Sequence, residues 1–199
     1  MTTQISGEAL LAQLRSVVGD AHLITDPRRN RRFRKGYRYG EGRVLAVVRP
    51  GTLLEQWRVF KAAIEAGRIV IMQAANTGLN GGSTPFGDDY DREVVLINTM
   101  RIGRIDLLKG GEQVLALAGA TLHRLEKLIR PLGREPHSVI GSTTIGASIV
   151  GGVCNNSGGA LIRRGPAFTQ LALYARVGED GTVFVSGDAE GSVLALSPL

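Results

Sequence analysis

Two stretches of this chain are built almost wholly from residues with little or no side chain. The first, "MQAANTGLNGGSTPFG", spans 72–87, and the second, "VIGSTTIGASIVGGVCNNSGGA", spans 139–160. The second carries glycine at 141, 146, 151, 152, 158 and 159, with hydroxyls at Ser142, Thr143, Thr144, Ser148 and Ser157. Small residues lay the backbone bare, so that N–H groups and neighbouring hydroxyls can meet an approaching anion. Ordering a glycine-rich chain costs conformational entropy, which hydrogen bonds to a bound phosphate or pyrophosphate would offset. The competing reading makes both stretches structural turns. Composition alone leaves the two open.

Other chemistries can be tested against the same residues. No G-x-x-x-x-G-K-[ST] occurs, and no G-x-G-x-x-G follows a strand, so neither a P-loop nor a Rossmann fingerprint is present. One cysteine, Cys154, and three histidines at 22, 123 and 137 give no zinc-ligand spacing, and no metal site is expected. Neither G-x-S-x-G nor a Cys–His nucleophile pair is legible. His22 and His123 read as structural. His137 reads first as a surface or packing residue, although it lies beside the second stretch. Cys154 reads as a small buried hydrophobe and excludes an internal disulfide.

The elements around the two stretches come from periodicity. "GEALLAQLRSVVG" sets Ala9, Leu10, Leu11, Leu14 and Val17 at helical spacing. "RVLAVVRPG" reads as a buried strand closed by Pro50-Gly51. "TLLEQWRVFKAAIEAG" reads as a helix capped by Thr52, with Glu55 in capping-box position and Gly67 at its end. Leu53, Leu54, Trp57, Phe60 and Ile64 have core spacing on it. "RIVIMQ" is the next strand, so the order strand, helix, strand predicts a parallel pair joined by a right-handed crossover. The first small-residue stretch then falls beyond a strand's carboxyl end, where ligands of such sheets sit. "EVVLINT" and "EQVLALAG" read as strands. "ATLHRLEKLIRPLG" reads as a helix with Leu122, Leu125 and Ile129 on one face. "LALYARV" and "TVFVSG" read as a hairpin around "GEDG". There is no internal repeat.

The chain's 199 residues carry a net charge of +6, which makes an anionic partner worth considering. Much of that charge lies in "DPRRNRRFRKGYRYG", where Arg28, Arg29, Arg31, Arg32, Arg34, Lys35 and Arg38 surround Phe33, Tyr37 and Tyr39. This reads as a loop with a turn at Asp26-Pro27, either merely solvated or facing an anionic membrane surface. No nucleic-acid motif accompanies it, and no nucleic acid is expected. No apolar run approaches the ~18–20 residues of a membrane span, and the N-terminus lacks the pattern of a signal peptide. A cytosolic location is expected.

The order of the pieces adds a family resemblance. "TDP", "RKGYRYG", "LAVVRPG", "MQAANTGL", "GGSTP", "YDREVV" and "PLGREPHSVIGS", with "REPHSVIGSTTIGASIVGGVCNNSGGALIRRGP", together resemble the FAD-binding domain of the vanillyl-alcohol oxidase and p-cresol methylhydroxylase flavoprotein superfamily. Within it, the chain is similar to the membrane-associated, quinone-dependent D-lactate dehydrogenases of bacteria. The likeness runs from about Leu10 to about Asp180. It implies an α+β fold of the p-cresol methylhydroxylase type, with a small βαβ-containing subdomain and a larger mixed-sheet subdomain. It also implies non-covalent FAD, oxidation of D-lactate or a related 2-hydroxy acid, and membrane quinone as electron acceptor. A glycolate oxidase-like protein and a non-catalytic remnant remain alternatives.

Carried over by position, Ala74, Ala75, Asn76, Thr77 and Gly78 form a first arm around the FAD pyrophosphate, and Gly82 and Ser83 a second. Gly141, Ser148 and Gly158 lie along the cofactor's other side. The expected organisation is an N-terminal helix and basic lead-in over 1–40, then a flavin domain over 41–199 that is incomplete at its C-terminus. The tail "VFVSGDAEGSVLALSPL" departs from the family pattern, which suggests a truncated or frame-shifted reading frame, or a fragment. Substrate-binding and membrane-binding domains are expected outside this chain, and the catalytic residues with them. The full-length family implies a peripheral position on the cytoplasmic face of the inner membrane.

Overall fold

The computed structural model describes residues 5–136, 142–155, 157 and 172–188. The chain divides into two compact units, residues 1–167 and 168–199, each taken by itself here.

The first unit opens with helix α1 (Gly7–Val18), capped by Ser6 and buried through Leu10, Leu14 and Val18. Strand β1 (Leu23–Ile24) leads to helix α2 (Pro27–Arg34). Strand β2 (Ala46–Val48), helix α3 (Leu53–Glu65) and strand β3 (Ile69–Gln73) follow, then β4 (Val94–Asn98). The four strands form one sheet in the order β1-β2-β4-β3. Both β2 and β3 run parallel to β4, and β1 is antiparallel to β2. The strand–helix–strand unit is therefore present, but a later strand sits between its two members. β4 is the sheet's buried centre, with all five residues shielded from solvent.

Side chains alternate across the sheet, as the two-residue strand period requires. Ala46, Val48, Val95 and Ile97 meet Leu10, Leu14 and Val18 of α1 and Val59, Ala62 and Ala63 of α3. Val47 and Leu96 point the other way, to Ile24 and to Phe33 of α2. Burying a side chain such as Leu10 or Leu14 stabilises the fold by roughly 1.5–3 kcal/mol relative to exposure. Residues 5–40 are thus integral to the first unit, through α1, β1 and α2.

Three local expectations change. The basic stretch is a helix over Pro27–Arg34, because Asp26 accepts from the backbone N–H groups of Arg28 and Arg29 and Pro27 fits the first turn. Phe33 and Asn30 anchor it, Arg34 folds back to donate to Asn30 Oδ1 (3.1 Å), and the other arginines face outward. On α3 the buried positions are Val59, Ala62 and Ala63, whereas Leu53 and Leu54 stand exposed. Small residues let α3 lie close to the sheet and to α1. Thr52 caps α3 as expected, but Glu55 reaches back to the N–H of Gly51 (2.7 Å).

Beyond the sheet, β5 (Ile105–Leu108) and β6 (Gln113–Ala116) form an antiparallel hairpin of which only the second strand was legible. Helix α4 (Leu122–Ile129) buries Leu122, Leu125 and Ile129, the face its periodicity predicts. The second small-residue stretch contains a short helix, α5 (Ile149–Cys154). In the second unit, β7 (Ala172–Val177) and β8 (Val183–Asp188) form the expected antiparallel hairpin. Among the described residues no helix is long and apolar enough to cross a membrane.

Candidate functional site

The first small-residue loop leaves the sheet at Gln73, the last residue of β3, which is paired in register with Asn98 at the end of β4. These two amides are buried, and they hold the loop. Gln73 donates through Nε2 to the carbonyls of Phe33 (2.7 Å) and Ser83 (2.8 Å). Its Oε1 accepts from Asn98 Nδ2 (3.1 Å), which also donates to the carbonyl of Ala74 (2.9 Å). One side chain therefore joins the end of α2, the start of the loop's first arm and its second arm. Neither amide was singled out from sequence. Their only signal was a polar residue at the end of each of two apolar runs.

Asn76 makes the second tie. Its backbone lies in the left-handed region (φ 55°), which asparagine tolerates better than most residues. Its Nδ2 donates to the carbonyl of Lys35 (2.7 Å), and its Oδ1 accepts from Ser83 Oγ (3.0 Å). The structure thus brings Ala74, Asn76 and Ser83 together through hydrogen bonds. Ala75 and Thr77 lie between and beside them, half-buried. Open space surrounds the Cα atoms of Gly78 and Gly82, so the backbone there is accessible.

The loop does not stand alone. Ala75 and Asn76 share an open cleft of about 630 Å³ with Arg28, Arg31, Arg32, Lys35, Gly36 and Tyr37. Gly36 makes the close turn possible, since a Cβ there would lie 2.1 Å from the carbonyl oxygen of Tyr39. Four cations on α2 and its exit therefore face the small-residue loop. Arg31 and Arg34 are partly neutralised by Glu41, at 3.7 and 3.1 Å. The expected membrane role for this basic segment overlooked these cations as lining of the loop's own cleft. The signal was their spacing, with Arg28, Arg31, Arg32 and Lys35 falling on one helical face.

The second stretch is positioned differently. Ser148 is buried and caps α5, its Oγ accepting from the N–H of Gly151 (3.1 Å). The flanking backbone pairs with the start of α4: Ile149 N–H donates to Ala120 and Leu122 N–H to Ala147, both at 2.9 Å. Thr99 links this layer to the first loop, donating from its backbone N–H to Gln73 (2.8 Å) and from Oγ1 to the carbonyl of Ala118 (3.3 Å). Gly141, Gly158 and His137 lie outside the described residues. Cys154 is exposed, not buried, at the last position of a short helix none of whose residues is buried. His123 is exposed on α4.

An accessible backbone and a cleft whose guanidinium groups outnumber the one carboxylate beside it, Glu41, together suit a ligand bearing phosphates. FAD, with its pyrophosphate and flat rings, fits those features.

The chain belongs to the FAD binding domain family, whose pattern matches residues 44–187. FAD is the cofactor of that family. Among curated proteins the chain is similar to the quinone-dependent D-lactate dehydrogenase of Escherichia coli (strain K12), 59% identical over 179 residues, covering 90% of this chain and 31% of that protein. It is likewise similar to that of Haemophilus influenzae, 57% identical over 177 residues, covering 89% and 31%. The chain thus spans about a third of the length of the curated relatives it matches. Among solved structures, p-cresol methylhydroxylase with substrate bound aligns with a TM-score of 0.64 at 14% identity, covering 90% of this chain and 35% of that one. That likeness establishes the expected α+β fold.

Proposed function

We propose that this chain is the FAD-holding part of a flavoprotein that oxidises D-lactate to pyruvate and delivers the electrons to membrane quinone. The observation that carries the cofactor half of this reading is the cleft in which the loop of Ala75 and Asn76 meets Arg28, Arg31, Arg32 and Lys35. The substrate half rests on the identity to the D-lactate dehydrogenases. In this reading Ala74, Ala75, Asn76, Thr77 and Gly78 form one arm around the pyrophosphate. Gly82 and Ser83 form the other, and Gly141, Ser148 and Gly158 lie along the cofactor's second side. Bound non-covalently, FAD supplies the two-electron oxidation chemistry that the protein's own side chains lack.

The chain's residues have a narrower task. Gln73 and Asn98 hold the loop in shape, so its N–H groups need not reorganise when phosphate arrives. The cations neutralise the pyrophosphate charge, and the small residues admit it closely. No catalytic residue is assigned, and the base that takes the lactate hydroxyl proton is placed outside this chain. A lead-in over 1–40 that packs into the flavin domain of 41–199, with substrate-binding and membrane-binding parts in the longer protein, belongs to the same reading. So does a peripheral position on the cytoplasmic face of the membrane. Arg38 with the exposed rings of Tyr37 and Tyr39 suits contact with anionic lipid there.

The test is the visible spectrum of the purified chain before and after acid precipitation. A flavin band whose pigment leaves with the supernatant is expected. A colourless soluble protein that takes up no added FAD overturns the cofactor assignment for this chain. Substrate preference is read on the longer protein, where loss of the band on adding D-lactate, faster than with glycolate, is expected; the reverse order favours the glycolate oxidase-like alternative.

A further inference from the structure

We propose a second anion site, apart from the loop cleft, in which Arg29, Arg32 and Arg49 receive a phosphate group. These three arginines line a cavity of about 320 Å³ together with Ala21 and Ile24. No carboxylate lines it. Among the described residues none of the three, nor the neighbouring Arg101, forms an ion pair. Glu55, the carboxylate that acts on nearby His22, is committed to the N–H of Gly51 at 2.7 Å.

Like charges at close range repel, so the fold must hold this group together. It does so through one ring and two backbone carbonyls. The guanidinium carbons of Arg32 and Arg49 lie 4.7 and 5.9 Å from the centroid of Phe33, itself buried in the core beneath α2. The N–H of Arg49 donates to the carbonyl of His22 (2.9 Å), and Arg101 Nη1 donates to the carbonyl of Arg49 (2.6 Å). Arg49 Nε is buried and has no hydrogen-bond partner among the described residues. A buried donor on a charged group costs free energy until an acceptor meets it.

The charges around Arg49 sharpen the argument. Burial, then Arg32 and Arg101, push its guanidinium below the usual arginine range. Burial, Arg101 and Arg49 also lower His22, with Glu55 opposing, so the imidazole resists taking up a further positive charge here. An anion would relieve all of these penalties at once. Three guanidiniums offer more donors than a planar carboxylate can use, whereas a tetrahedral phosphate has oxygens for each. The phosphate of a small metabolite and that of a lipid headgroup share this chemistry. Arg32 also borders the loop cleft, but of these two spaces Arg29 and Arg49 line this cavity and not the cleft.

The experiment is calorimetric titration of the full chain with inorganic phosphate at constant ionic strength, with FAD absent and then saturating. Saturable binding is expected. Arg49→Gln should weaken it about tenfold, the loss of one charge-assisted hydrogen bond. Arg29→Gln, at an exposed position that does not support the core, should weaken it in the same direction and serves if Arg49→Gln fails to fold. Arg58→Gln, an exposed arginine on α3, should change it little. Equal losses in all three variants, or no saturable heat, overturn the site. Loss of phosphate binding when FAD is added also overturns it, by making the cavity part of the cofactor cleft. Flotation with phosphatidylglycerol vesicles, against phosphatidylcholine alone, separates the sources. Weakened flotation in Arg49→Gln assigns a lipid phosphate; unchanged flotation with weakened phosphate binding assigns a free one.

Discussion

The two small-residue stretches look alike in composition and are built on different principles. The first loop is held by side-chain hydrogen bonds to distant parts of the chain: from Gln73 and Asn98 at the strand ends and from Asn76 within the loop. The second is held by its own backbone, paired to the start of α4 and capped by Ser148. In the first, glycine and alanine leave much of the loop's backbone free for a ligand because a few polar side chains, Gln73, Asn76 and Asn98, supply the order. In the second, the small residues serve a tight turn and a short helix. Similar composition therefore conceals one externally braced loop and one self-supporting one.

The largest test of that contrast is Gln73→Leu. It keeps the volume but strips the carbonyls of Phe33 and Ser83 of a buried donor and Asn98 of an acceptor. At roughly 1–3 kcal/mol for each buried group left unpaired, a loss of about 3 kcal/mol is expected. A lower urea midpoint at unchanged slope would show it, together with weakened FAD uptake. A loss within about 0.5 kcal/mol, the range of ordinary surface changes, would mean that the loop is braced by something else.

A smaller effect is expected at Asn76, where two variants separate bonding from backbone strain. Asn76→Ala loses both side-chain hydrogen bonds and places a Cβ-bearing residue at φ 55°. Asn76→Gly loses the same bonds but accepts that backbone freely. The alanine variant should be destabilised by about 2 kcal/mol and the glycine variant by about 1 kcal/mol. Equal losses in thermal melts would show that the left-handed backbone relaxes and that only the hydrogen bonds matter.

The sequence exposed the parts of this architecture that rest on local pattern. The buried face of α4 and the cap of α3 followed from spacing and from Thr52. The first loop stood out because a strand led straight into it. What stayed hidden depended on pairings distant in the chain. Gln73 and Asn98 are separated by 25 positions and meet only because β3 and β4 lie in parallel register. That β4 enters between β2 and β3 cannot be read from any one segment. The helix α2 was hidden for another reason: its arginines resemble a solvated loop, and Asp26-Pro27 signals a turn and a helix start alike. Asn30 and Phe33, four and seven residues beyond the cap, decide between them once the sheet is present to bury them.

The smallest effect sharpens the comparison most. Ser148→Ala removes the cap of α5 and should cost about 1 kcal/mol. By itself that loss is silent about FAD, since any capped helix would show it. Ser148→Asp keeps the cap but buries a negative charge where the proposed cofactor contact lies, so it carries a cost of its own. If the second stretch only supports itself, Ser148→Asp should melt below the parent yet bind FAD as the parent does. If Ser148 lies along the cofactor, the aspartate variant should show the same lowered melting and also bind FAD about tenfold more weakly, the scale of one unfavourable charge. Melting alone cannot separate these cases, and affinity alone would confuse a damaged helix with a lost contact. The pair of measurements assigns Ser148 to the ligand or to the fold.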